Sequence, residues 1–198
     1  MDKIKGINLN NIKENIFNKG IYKDIDDVQE KLDGYNTKLT LISRTLSYIL
    51  SQDNKQGPTH SQVDIKYNEK EGYYLSTTNS RAKELKKHLE KENTFTKKQF
   101  QLLIEQLGVK NIIKSSFTYK QTTGNTKIYS ELINNYSHGI ISYQEKIKSM
   151  CLEQFSNLLL EYYEKYSGML KEICNFVGYI DFISNIAFVS KQNGYIKR

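Results

Sequence analysis

The sequence predicts a chain that is mainly α with a small antiparallel β-sheet. The expected architecture is a long antiparallel pair of helical limbs carrying a β tip with a helical insertion. Three observations predict it. Ile25, Val28, Leu32, Tyr35, Leu39, Ile42, Leu46 and Ile49 recur at alternating spacings of three and four, an apolar seam suited to one partner helix. Val63, Ile65 and Tyr67 alternate with Asp64, Lys66 and Asn68, and a second β-prone run of Tyr73, Leu75 and Thr77 follows turn residues 68–72. Helical spacing returns over 137–189, through Ile140, Tyr143, Ile147, Phe155, Leu158, Tyr162, Tyr166, Met169, Ile173, Phe176, Ile180, Ile183 and Ala187.

In chain order, residues 1–20 form a lead-in. Leu9, Ile12, Ile16 and Phe17 have helical spacing there, and Gly20 is a stop. Asp24 is placed to cap the next helix, with Asp26 and Asp27 in its first turn. That helix covers 25–51, about 27 residues and roughly 40 Å at ~1.5 Å per residue. Gly34 interrupts its seam at a cost of about 1 kcal/mol without moving the register. Gln56, Gly57, Pro58 and Thr59 make a loop. Gly72 supplies a positive φ to the turn between the two strands. Ser80 is placed to cap a short, very basic helix over 81–91. A second helix spans 96–107, with Phe100, Leu103, Ile104 and Leu107 on one face and Gly108 at its end. β character resumes over 109–114 and 117–122, and Thr123, Gly124 and Asn125 form an exposed turn.

The returning helix, roughly 50 residues and ~75 Å long, outruns the first. Its far part is therefore expected to pack on the N-terminal helix or on a surface beyond this sequence. Its apolar stripe reads as core, and Gly168 and Gly178 are points where it could bend. The domain reading is 1–51 for the outgoing helices, 52–136 for the sheet with its insertion at about 80–108, and 137–198 for the returning helix.

Hydrophobic residues make up 38% of the 198, and mean hydropathy is −0.63, which suits an elongated body with a thin core. The net charge is +7 and the pI about 9.1, so an anionic partner is expected. Between residues 52 and 129 stand 14 basic and 8 acidic side chains, so 14 − 8 = 6 of the net +7 falls on the β region. Cys151 and Cys174 lie on the apolar side of the returning helix and are expected to be buried free thiols. The N-terminus is polar and broken by Gly6, which reads against a signal peptide, and no apolar run approaches the ~18 residues of a membrane span. An intracellular chain with no membrane partner is expected.

Catalytic constellations are missing. There is no GxxxxGK[ST] phosphate loop. His60, His88 and His138 are isolated, without metal-ligand spacing to the cysteines. No nucleophile can be paired with a base. The chain by itself reads as a non-enzyme.

Three blocks resemble the clamp and lever of MutS-family DNA mismatch-repair proteins. Gly20-Ile21-Tyr22-Lys23-Asp24-Ile25-Asp26-Asp27-Val28 is similar to the segment that begins the family's outgoing lever helix. Lys66-Tyr67-Asn68, then Gly72-Tyr73-Tyr74-Leu75 after three residues, is similar to its clamp hairpin and is the most specific match. Lys120-Gln121-Thr122-Thr123-Gly124-Asn125-Thr126-Lys127-Ile128 resembles its second clamp turn, although Gly124 stands where one branch has a basic residue. The excursion over 81–107 is longer than in the compact bacterial clamps.

The resemblance implies a fragment that grips double-stranded DNA backbone without sequence specificity and couples that grip to an ATPase outside this chain. It implies that Asn68, Lys120, Thr122 and Asn125 touch phosphates and sugars. Lys66, Lys70 and Lys127 complete the candidate DNA-binding set. Neither the family's Phe-x-Glu mismatch-reading motif nor its ATPase is seen, and Asn193-Gly194-Tyr195-Ile196 falls near where the family chain passes toward that ATPase. No cofactor is expected in this fragment; ATP and Mg belong to the parent, which is expected to be dimeric through domains absent here. The alternative is a coiled-coil protein-interaction or dimerisation module with an incidental basic tip.

Overall fold

A computed structural model describes residues 3–5, 11–51, 62–91, 94–109 and 117–195. The element order is α1 (Lys23–Leu50), β1 (Asp64–Asn68), β2 (Gly72–Thr78), α2 (Asn79–Glu90), α3 (Thr94–Leu107), β3 (Thr118–Gln121), β4 (Asn125–Tyr129) and α4 (Glu131–Asn193). The expected class, mainly α with a small antiparallel sheet, is what forms. The chain divides into two compact units, Met1–Ser149 and Met150–Arg198. The expected loop at 56–59 and Leu9 lie outside the described residues, as does the expected strand over 109–114 apart from Val109, which is in no strand.

In the first unit, the predicted seam of α1 is the core. Ile25, Val28, Leu32, Leu39, Ile42, Leu46 and Ile49 are all buried, and only Tyr35 is half-exposed. Burying each Leu or Ile fully contributes about 1.5–3 kcal/mol. Tyr35 has a different job: it lies where α1 meets the start of α4. Its ring packs on Tyr136 and Tyr143, with centroids 5.9 and 5.5 Å away, and Lys38 Nζ sits over both Tyr35 and Tyr136. Gly139 makes room for it. A Cβ at Gly139 would stand 2.5 Å from a carbon of the Tyr35 ring.

Asp24 is not the cap of α1. Tyr22 occupies that position and makes no side-chain cap bond. Asp26 is drawn backwards instead, accepting from Gly20 N at 2.7 Å and Asn15 Nδ2 at 2.8 Å. The lead-in is correspondingly not a helix. Ile4 and Phe17 form an isolated antiparallel bridge, and Lys5 N donates to Ile16 O at 2.8 Å. Asn15 explains the difference: its Oδ1 accepts from Phe17 N, a local bond that competes with helix formation.

Serines at four-residue spacing fasten the C-terminal half of α1 to the entry of β1. Ser47 Oγ accepts from Val63 N at 3.0 Å and Gln62 N at 3.2 Å, and Ser43 Oγ donates to Val63 O. Ser43, Ser47 and Ser51 are all buried, so these bonds satisfy groups that water does not reach.

The sheet order is β1-β2-β4-β3, with every neighbouring pair antiparallel. Helices α2 and α3 join β2 to β3. Thr78, not Ser80, caps α2, its Oγ1 accepting from Arg81 N at 3.4 Å. Ala82, Leu85 and Leu89 are the buried side of α2, which packs on β2 and β4. Phe100, Leu103 and Leu107 are the buried side of α3, which packs on α1; Tyr48 and Phe95 stack with centroids 5.4 Å apart. Gly108 ends α3 at φ +66°, as its position predicts.

In the second unit, α4 begins with buried Cys151 and Leu158 and then changes character. Tyr162, Tyr166, Met169, Ile173, Phe176, Ile180 and Ile183 are exposed, contrary to the expectation of core. Cys174 is exposed as well, so only one of the two thiols is buried. Helical periodicity marks a surface that gains by being covered; it does not name the cover. The expectation about apolar runs also needs correction. An 18-residue window of α4 has mean hydropathy 1.4 with no part of it buried, so by length and composition this helix could cross a membrane.

Candidate nucleic-acid interface

Antiparallel pairing decides where the two predicted turns go. Gly72 pairs with Asn68 at one end of β2, and Asn125 pairs with Thr78 at the other. Six steps of strand at ~3.3 Å put roughly 20 Å between them. The two turns therefore do not share one tip. The 68–72 turn sits against α4: a Cβ on Gly72 would meet Ser137 Oγ at 2.6 Å, and Tyr73 N donates to that oxygen at 2.7 Å. Gly72 is buried, with φ +72°. The 122–124 turn is exposed throughout.

The exposed turn is tightly built. Thr122 N and Thr122 Oγ1 both donate to Asn125 O, at 2.8 and 2.7 Å. Asn79, the first residue of α2, holds it from the side. Its Nδ2 donates to Thr122 O at 3.1 Å, and its Oδ1 accepts from Thr126 Oγ1 at 2.8 Å. Asn79 was not singled out from sequence. Its signal was the Thr78-Asn79 pair at a strand-to-helix junction, where short polar side chains bond nearby backbone.

Pleat alternation puts Lys66, Lys120, Lys127 and Asn125 on one face of the sheet and Leu75 and Ile128 on the other. Lys66 and Lys120 are exposed; Lys127 is half-buried. Lys70 is exposed in the 68–72 turn, where Asn68 Oδ1 accepts from Lys70 N at 3.1 Å. Asn68 thus spends its carbonyl oxygen on the turn itself. Of the seven predicted residues, Lys120, Thr122, Asn125 and Lys127 gather on the β3–β4 hairpin, while Asn68 and Lys70 stand at the far end beside α4.

Lys120 and Lys127 are direct cross-strand partners. Two like charges so placed repel. Glu71, from the 68–72 turn, answers both. One carboxylate oxygen pairs with Lys127 Nζ, the other with Lys120 Nζ at 3.5 Å. Lys127 Nζ also lies 4.6 Å from the centroid of the Tyr74 ring. The Lys127 hydrogen bond, and less strongly Lys120, hold the Glu71 carboxyl below its ordinary range against partial desolvation. The same bond raises Lys127. Among the described residues no group of three His, Cys, Asp or Glu side chains is placed to hold a metal ion.

No family profile matches the chain. It is 29% identical over 192 residues to a DNA mismatch repair MutS homologue of Acanthamoeba polyphaga mimivirus. The match covers 96% of this chain and 17% of that protein, so the chain spans about a sixth of the relative's length. The resemblance first carried by three short blocks thus extends along nearly the whole sequence, which is similar throughout to one stretch of a MutS homologue.

Proposed function

We propose that this chain is the DNA-gripping clamp and lever of a longer MutS-like mismatch-repair protein. The observation that carries the reading is the exposed β3–β4 hairpin, which presents Lys120, Thr122 and Asn125 together, in a chain similar over 96% of its length to a MutS homologue. Ammonium, hydroxyl and amide donors on an exposed turn can meet phosphate oxygens without reading bases. The start of α2 lies beside this turn and adds its partial positive charge. The hairpin follows a helical excursion, 79–107, whose lysines extend the attraction.

The test is a salt titration of binding to a short duplex, read by fluorescence anisotropy. A few phosphate contacts give a Kd of about 10⁻⁴–10⁻⁶ M near physiological salt, weakening steeply as salt rises. Matched and mismatched duplexes should bind alike. No binding at low salt, or binding indifferent to salt, overturns the reading. On this reading the ATPase, with ATP and Mg, lies elsewhere in the longer protein. Robust ATP hydrolysis by this chain alone would count against it. The parent would work inside the cell, wherever its source replicates DNA, and would dimerise through other domains.

One observation favours a second reading, a helical interaction module. Ile173, Phe176, Ile180 and Ile183 share one side of α4 and are 44–65% exposed, a surface that gains from cover. In the first reading other parts of the longer protein cover it; in the second, another chain does. Light scattering after size exclusion separates them: a monomer that binds DNA favours the first, a defined oligomer that does not bind DNA favours the second.

A further inference from the structure

We infer that Glu71 is a built-in competitor of DNA phosphate, and that it sets how firmly the sheet grips. The inference rests on the DNA-backbone reading above and assigns a residue that reading does not use. Three facts carry it. Lys120 and Lys127 oppose each other across β3 and β4, and Glu71 reaches both from the 68–72 turn. Lys127 is enclosed, its side chain only 19% exposed between the carboxylate and the Tyr74 ring. Lys120 is open, 68% exposed, and its 3.5 Å contact is at the weak limit of a hydrogen bond.

The two lysines are therefore unequal. A phosphate arriving at the hairpin takes Lys120 from Glu71 with little cost, because that contact is long and solvated. Lys127 stays with the carboxylate. Two ammonium groups and one carboxylate thus offer DNA one net positive charge. Without Glu71 they offer two. Each added phosphate contact steepens log K against log salt by about 0.9, which at 0.1 M salt is roughly an eightfold gain in affinity relative to 1 M.

Glu71→Gln keeps the shape of the side chain and removes its charge. It is expected to bind duplex DNA roughly eightfold more tightly at 0.1 M salt, with a slope steeper by about 0.9. Lys127→Ala leaves Glu71 with Lys120 as its one partner, so it should lower the slope by about 0.9 although Lys127 itself is enclosed, and Lys127→Ala combined with Glu71→Gln should return to the slope of the unaltered chain. Glu71→Gln with unchanged affinity and slope, or with weaker binding, overturns the inference. If Glu71→Gln does not fold, as judged by circular dichroism, an unchanged slope for Lys127→Ala overturns it instead. Binding by the unaltered chain with no response to Glu71 sinks this inference alone; no DNA binding by any variant sinks the DNA reading and this with it.

Discussion

Replacing Gly139 by alanine tests the packing between α1 and the start of α4. In an open helix, Gly→Ala is stabilising by about 1 kcal/mol, because alanine loses less backbone entropy. Gly34 provides that baseline: it is helical, exposed, and a Cβ there meets nothing within 4 Å. Gly139 differs only in its surroundings. Its Cβ would stand 2.5, 2.6 and 3.0 Å from three carbons of the Tyr35 ring. That ring is hemmed in by Tyr136, Tyr143 and Lys38, so it cannot swing aside without losing those contacts. Overpacking of this kind costs roughly 1–3 kcal/mol. Gly34→Ala should therefore gain about 1 kcal/mol and Gly139→Ala should lose between about 0 and 2, a gap of about 1–3 kcal/mol between two chemically identical changes. Urea denaturation followed by circular dichroism reads both through the midpoint at constant m. Equal stabilisation of the two variants would refute the close approach of Tyr35 to α4. Restoration of Gly139→Ala by Tyr35→Ala, beyond the sum of the single effects, would support it.

Three further outcomes follow from the same structure. Gly72→Ala combines a left-handed φ of +72° with a Cβ 2.6 Å from Ser137 Oγ, so it should cost about 2–3 kcal/mol in the urea midpoint, and a cost below about 1 would contradict the turn geometry. Ser47→Ala removes the acceptor of both Gln62 N and Val63 N and should destabilise by about 1–3 kcal/mol; a neutral change would mean those amides find water. The Glu71 pair should make stability depend on pH. Because the folded carboxyl sits below its ordinary value of 4.5, its contribution is complete above that value and fades as pH falls through the lowered one. Lys127, raised above 10.5, loses its share only as pH rises through the raised value. Comparing urea midpoints of the unaltered chain and Glu71→Gln from pH 3 to 7 would show the difference shrinking toward acid, and a constant difference would exclude the pair.

The seam of α1 was fully legible because its signal is local: seven of its eight positions are buried where spacing alone puts them. Gly72 and Gly108 were legible for the same reason, since a positive φ is a property of one residue. The placement of the candidate site was only half legible. Spacing showed two hairpin turns but not that β4, rather than β3, pairs with β2. That pairing orients the second hairpin and sends its turn to the other end of the sheet from Gly72. Glu71 was invisible as a partner of Lys120 and Lys127 because 49 and 56 residues separate them. The far stripe of α4 was read as core, and the error has a physical source. Apolar periodicity reports the need for a neighbour, and a neighbour can lie outside the sequence read.

The pairing of β2 with β4 bears on how the molecule comes together and how it tolerates change. Residues Gly72 to Asn68 close locally, whereas Leu75 meets Ile128 only after roughly fifty intervening residues have found their places. The hairpins can nucleate early, but their union waits for the α2–α3 excursion and should be the slow step. Once the ends of that excursion are pinned, its length matters little: doubling it costs only about 0.6 kcal/mol in closure entropy. The exposed sides of its helices can vary while the strands on either side stay in register, but Leu85, Phe100 and Leu103 are buried and must be kept.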